Sequence, residues 1–268
     1  MRGVSRRGLL GAALLGAWGC RRRKAQPGPL RVAAAADLQD AFTALAALYQ
    51  EQHGRAVALS FAASGILTRQ VREGAPFDLL ATASPRYIDE LARLDLLVPR
   101  SRLVFARGQL ALYSLAGEDG AAPPGAAPLS VLLGPRVRRI ALANPEHAPY
   151  GAAALLALQG AGLLPALQGK LVFAENVRQA LRFAETGAAD VALVARSLCG
   201  ATQPRGGRCA PLPEGLHPPI EQALGVLRGG DEAGAARFVA LLRGARGQEI
   251  LRRHGYQSLS AERPAVSP

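Results

Sequence analysis

At 268 residues, 49% hydrophobic and 19% charged, the chain can fold as one large domain or two ordinary ones, and its composition rules out wholesale disorder. A net charge of +12 invites a nucleic-acid reading, but seven of the basic residues stand in 1–24 with no acid among them, leaving 25 basic against 20 acidic residues beyond. No basic helix interleaved with aromatics follows, which argues against DNA or RNA as a partner.

In chain order, Met1 to Gly19 reads as an export signal. Arg2, Arg6 and Arg7 precede an apolar run of about ten residues from Leu9 to Trp18, too short for a permanent membrane span. Ala17-Trp18-Gly19-Cys20 resembles a lipoprotein cleavage site that would leave Cys20 lipidated; a plain secretory signal cut near Gly19 is the alternative. Ser5 to Leu10 also resembles a twin-arginine signal, and a chance arginine pair reads equally well. All these readings place the mature protein outside the cytoplasm, in the periplasm or on the outer face of the membrane.

From Leu30 onward, short apolar runs alternate with helical spacing. Arg31–Ala35 is a strand candidate, and Asp37 is expected to cap the helix carried by Leu38, Ala41, Phe42, Leu45 and Leu48. Val57–Ala62 is the next strand, and Ser64-Gly65 opens a helix. Phe77–Thr82 is strand-like, and Ser84-Pro85 starts another helix. Leu103–Ala106 and Leu110–Ser114 follow as strands, then a Gly/Pro/Ala loop over 116–128. Arg139–Ala143 leads to a long Ala/Leu helix opened by Pro149-Tyr150-Gly151. Leu171–Phe173 leads to a helix capped by Asn176. Asp190–Ala195, a Gly/Pro loop over 200–219, strand Ala223–Leu227 and one closing helix over Glu232–Leu251 complete the pattern, with 257–268 a frayed tail. This alternation implies an α/β fold with mostly parallel sheets. Beyond Cys20 only Cys199 and Cys209 remain; in an oxidising compartment their spacing across a flexible loop favours a disulfide over two free thiols.

Enzyme motifs are missing. Ser64 sits in Phe61-Ala62-Ala63-Ser64-Gly65, not in a nucleophile elbow, and there is no Walker loop, dinucleotide fingerprint or paired-histidine metal motif. An exported hydrolase using Ser64 would need His147 as its base. Four turns carry small or polar residues where a strand gives way to a helix: 35–37, 63–65, 149–151 and 175–177. Converging helix N-termini of this kind cradle an oxyanion through backbone N–H groups, although each alone is an ordinary capped helix.

At these same turns the chain resembles the periplasmic molybdate-binding proteins. Val32 to Leu38, Phe61 to Gly65, Arg69-Gln70-Val71, Gly74 to Asp78, Asn144 to Gly151 and Glu175 to Leu181 carry the likeness, in order, from about residue 30 to 256. The resemblance implies a two-lobed periplasmic-binding-protein fold with two crossovers and a central ligand cleft. It places lobe 1 at 30–112 plus 223–256 and lobe 2 at 113–222. It also implies a monomer that carries molybdate or tungstate to the membrane permease of an ABC importer, needs no cofactor and has no metal ion held directly by side chains. Carried over by motif, the oxyanion positions are Asp37, Ser64, Tyr150, Val177 and Ala195. Asp37 stands where the best-known members have serine, and Ala195 where they have a tyrosine hydroxyl. A carrier for sulfate or a phosphonate, and a tethered sensor, remain as competing readings.

Overall fold

The computed structural model describes residues 28–115, 128–200 and 207–259. Cys20, the export signal, most of the loop over 116–128, residues 201–206 and the tail from 260 lie outside these. The first half of the fold contains β1 (Leu30–Ala35), α1 (Gln39–His53), β2 (Val57–Ala62), α2 (Ser64–Arg72), β3 (Leu79–Thr82), α3 (Pro85–Arg93) and β4 (Leu103–Gly108). The second half begins with β5 (Leu110–Ser114), β6 (Ile140–Ala143), α4 (Pro149–Gly160), α5 (Leu164–Leu167), β7 (Leu171–Ala174), α6 (Val177–Glu185), β8 (Val191–Ala195) and β9 (Arg208–Pro211). The chain then returns through β10 (Ile220–Val226), α7 (Glu232–Arg243) and α8 (Ala245–Arg253).

Two five-stranded sheets result, ordered β2-β1-β3-β10-β4 and β7-β6-β8-β5-β9. In each, three strands run parallel, and the crossover strands pair antiparallel: β10 with β3 and β4, and β5 with β8 and β9. The sheets are therefore mixed. A crossover helix carries the chain back so that the next strand can run parallel; β5 and β10 are entered from the other sheet without one and pair antiparallel. The chain changes sheet at Gln109 and again between Pro211 and Ile220. Strand β5 thus starts three residues before the boundary read at 113, and β10 three residues before the one read at 223.

Local chemistry explains most elements. Pro85 and Pro149 sit in the first turns of α3 and α4, where no N–H is needed. The Asn176 side chain accepts from the N–H groups of Arg178 and Gln179 at 3.1 and 3.0 Å and so caps α6. Each sheet is packed against helices, and one apolar core runs from Leu30, Phe42 and Phe238 through Leu112 and Leu142 to Leu193.

Four sequence expectations are corrected. The closing helix breaks at Gly244, which adopts an extended conformation between α7 and α8. The Gly/Pro loop over 200–219 contains β9, held to β5 by four residue pairs and to the 196–198 turn by the Cys199–Cys209 disulfide, with Cα atoms 5.9 Å apart. Gln257 is not frayed, because it exchanges backbone bonds with Arg107 at 2.8 and 2.9 Å. Asp37 does not cap α1: it lies inside a 3-10 turn, Ala36–Leu38, and makes no cap bond.

The disulfide closes a short loop and should contribute about 2–3 kcal/mol by restricting the unfolded chain. Non-reduced peptide mapping of the protein purified under oxidising conditions should recover the linked 199 and 209 peptides. Two freely alkylated thiols would refute the bridge.

Candidate functional site

Strand ends and helix starts meet at a small cavity between the two sheets. It is lined by Ala35, Ala36, Asp37, Ala63, Ser64, Ala83, Ala148, Pro149, Tyr150, Asn176 and Val177; all but Pro149 and Asn176 are buried. The 3-10 turn before α1 and the N-termini of α2, α4 and α6 all open onto it. Each such end presents main-chain N–H groups without helical partners and the positive end of the helix dipole. In α6, Asn176 takes the amides of residues 178 and 179, leaving the Val177 N–H for whatever occupies the cavity. No lysine or arginine is among the lining residues. Larger grooves lie elsewhere, such as the one bordered by Arg107, Glu214 and Gln257, but no group of helix N-termini converges there.

Small residues allow the close approach of backbones. A side chain on Gly151 would overlap the Ala143 carbonyl, so α4 can start against the end of β6 only with glycine there. Ser64 is 1% exposed, and its Oγ accepts from the Ala83 N–H at 3.0 Å, which leaves the hydroxyl proton free to donate elsewhere.

The two lobes bond across the cleft. Gly65 N–H donates to the His147 carbonyl at 2.9 Å, Arg178 Nη2 pairs with Asp40 at 2.6 Å, and Ser197 Oγ donates to the Asp37 carbonyl at 2.9 Å. The His147 ring donates to the Glu175 carbonyl at 2.9 Å and is not set against Ser64 as a base would be. Among the described residues, no group of three or more His, Cys, Asp and Glu side chains is placed to hold a metal ion.

Four of the five positions carried over by motif, Asp37, Ser64, Tyr150 and Val177, line this one cavity. Ala195 does not. It is fully buried at the end of β8, paired with Leu110, and begins the turn that delivers Ser197 to Asp37. The Asp37 carboxyl is bound by Tyr256 Oη at 2.9 Å. Burial pushes its pKa up to about 6, although the bonds from Tyr256 and its own backbone and the nearby Tyr150 and Gln222 act to lower it. Among the described residues no arginine neutralises it: Arg178 is engaged with Asp40, and Arg69 lies 4.0 Å from Glu73. Sequence reasoning missed Ala83, Ser197, Gln222 and Tyr256. Only Gln222 left a signal, as a polar residue inside the apolar run of β10.

A family model described as bacterial extracellular solute-binding protein matches residues 30–257. The molybdate-binding protein ModA of Rhodobacter capsulatus is 32% identical over 233 residues, which is 87% of this chain and 89% of that protein. Its counterpart in Azotobacter vinelandii is 32% identical over 251 residues, 92% of this chain and 94% of that protein. The solved structure of the Azotobacter vinelandii periplasmic molybdate-binding protein superposes with a TM-score of 0.79 at 29% identity, covering 86% of this chain and 100% of that one.

Proposed function

Because the chain belongs to the bacterial extracellular solute-binding protein family, we propose that it captures molybdate or tungstate outside the cytoplasm and delivers it to the membrane permease of an ABC importer. The convergence of four helix-type N-termini on one small cavity without a cationic side chain carries this reading. Fixed amide dipoles in a water-excluded site suit a compact dianion, because they are already oriented and need not be desolvated as a lysine would. The small size of the cavity favours a compact oxyanion over a bulky organic solute.

On this reading the lobes, taken as 30–109 with 220–256 and 110–219, close on the anion, with Ser64 Oγ and the amides of Asp37, Ser64, Tyr150 and Val177 as its donors. The protein works as a monomer, releases its cargo unchanged and has no catalytic residue. An N-terminal export signal, with Cys20 as a lipid anchor, keeps it near the permease.

Thermal melting with added oxyanions tests the assignment. A ligand at about 100 times its dissociation constant adds about 2.7 kcal/mol, so molybdate and tungstate should each raise the melting temperature by several degrees. Sulfate, equal in charge but smaller, should act much more weakly. A clear shift with sulfate and none with molybdate would reassign the ligand.

A further inference from the structure

A second polar cluster, behind the anion-facing amides, is not used to hold the ligand. Tyr256 Oη lies 2.9 Å from the Asp37 carboxyl and 2.8 Å from the Asp37 peptide oxygen, and its one proton serves one of them at a time. Ser197 Oγ reaches the same peptide oxygen from the other lobe. Tyr150 on α4 and Gln222 on β10 face the carboxyl as well. Yet Tyr150 Oη and both amide atoms of Gln222 are buried without completing a hydrogen bond. These two side chains meet over Gly108, where a Cβ would overlap Tyr150 Oη and stand 3.2 Å from Gln222 Nε2.

The charged groups on the packed elements are engaged elsewhere. Arg178 on α6 binds Asp40 on α1, Arg196 beside Ser197 binds Gln109, and Arg252 and Arg253 on α8 bind Glu249. None of them shifts the Asp37 carboxyl. A carboxylate only accepts, so it offers nothing to Gln222 Oε1, a buried acceptor that lacks a donor. One proton on the carboxyl adds a donor to this cluster, which is otherwise rich in acceptors.

We propose that Asp37 is a positioning residue: its carboxyl takes up one proton from solvent as the lobes close, and the neutral acid completes this cluster and holds the anion-facing 36–38 turn. The proposal deepens the anion-carrier reading above and rests on it. The carboxyl sits at about 6 in the closed form against an ordinary 3.8 when exposed. A dianion in front of it pushes the same way. The cost of closing over a charged carboxyl is therefore fully present above about pH 6 and falls away as the pH drops below it.

Calorimetric titration of the full chain with molybdate, between pH 5 and 8 in buffers of different ionisation enthalpy, counts the protons. Uptake should be nearly one per site at about pH 5, about half at pH 6 and none at pH 8, with binding about tenfold tighter at pH 5 than at pH 8. Asp37→Asn should lose this uptake and its pH dependence; protons taken by the anion itself appear in both proteins and cancel. Tyr256→Phe removes a bond that favours the charged form, so its midpoint should move to higher pH. Small-angle scattering of the ligand-free chain should show contraction from pH 8 to pH 5 in the parent and none in Asp37→Asn. Equal proton uptake in parent and Asp37→Asn would overturn the proposal and leave the carrier reading intact. If molybdate binds at no pH, the carrier reading fails, and the scattering then decides: contraction confined to the parent supports the proton-taking role, and a constant radius of gyration refutes it.

Discussion

Gly65→Ala is expected to weaken molybdate binding by roughly five- to 140-fold while leaving the ligand-free protein as stable as the parent or slightly more so. Gly65 lies in the first turn of α2 and has no positive φ, so alanine fits the local backbone and gains up to about 1 kcal/mol of helix propensity. Its nearest neighbours are not in its own lobe. A Cβ there would stand 2.9 Å from His147 Cβ and 3.0 Å from His147 Cα, where the cleft shuts and the Gly65 N–H meets the His147 carbonyl. These atoms belong to the turn that starts α4 and cannot swing aside as the tip of a long side chain would. Overpacking of this kind costs about 1–3 kcal/mol, all of it charged to closure, and each 1.4 kcal/mol is a factor of ten in affinity. Parallel melting and titration of the variant check the opposite signs. Parent-like affinity would mean that the lobes do not approach this closely when the ligand is bound.

Asp78→Ala is expected to destabilise the fold itself by about 3 kcal/mol, a fall in melting temperature of roughly 6–12 °C for a chain of this size. The side chain is buried, and its two oxygens accept from the Arg31 N–H and Arg31 Nη2 at 2.7 Å each and from the Asp231 N–H at 3.0 Å. It thereby ties the start of β1 to the turn that caps α7, and alanine leaves two backbone donors unmatched. The Arg31 side chain is 43% exposed and can return to water, so the loss is chiefly that of the amides. Burial alone would raise the carboxyl, but Arg31 and the two amides more than reverse this and hold it below its ordinary 3.8. Its contribution is therefore present above about pH 4 and lost as acid brings the pH through 3.8 toward the folded value. The gap between parent and variant in denaturant melts should narrow in that window. A gap that stayed constant down to pH 2 would show that the charge on Asp78 is not what stabilises it.

What was legible in the sequence was mostly local. Apolar runs such as Val32 to Ala35 and Val191 to Ala195 announce buried strands, and Asn176 and Pro149 announce the helices that follow. The turns at 63–65, 149–151 and 175–177 could be recognised as one set only because each carries its own small or polar residues. The Asp37 cluster could not. It gathers residues 37, 150, 197, 222 and 256 from five separate segments of the chain, and no spacing connects them. Asp37 was misread as a cap because aspartate before an apolar helix normally is one. Here an intervening 3-10 turn moves the helix start to Gln39 and aims the carboxyl inward. Strand β9 was hidden because it is only four residues long, follows Gly206-Gly207 and ends on Pro211, and only its partner β5 makes it a strand.

Gln109 is the sole residue between β4 and β5, and the Arg107–Gln257 backbone pair pins the chain just before it. A link this short has almost no slack. It favours rotation of one lobe against the other over sliding, so on the carrier reading an empty and an occupied form would differ chiefly in the angle between the lobes. A membrane partner that touches both outer surfaces at once can measure that angle without contacting the cargo. On the carrier reading, the distance between two surface patches, and not the chemistry of the anion, would then be what such a partner detects.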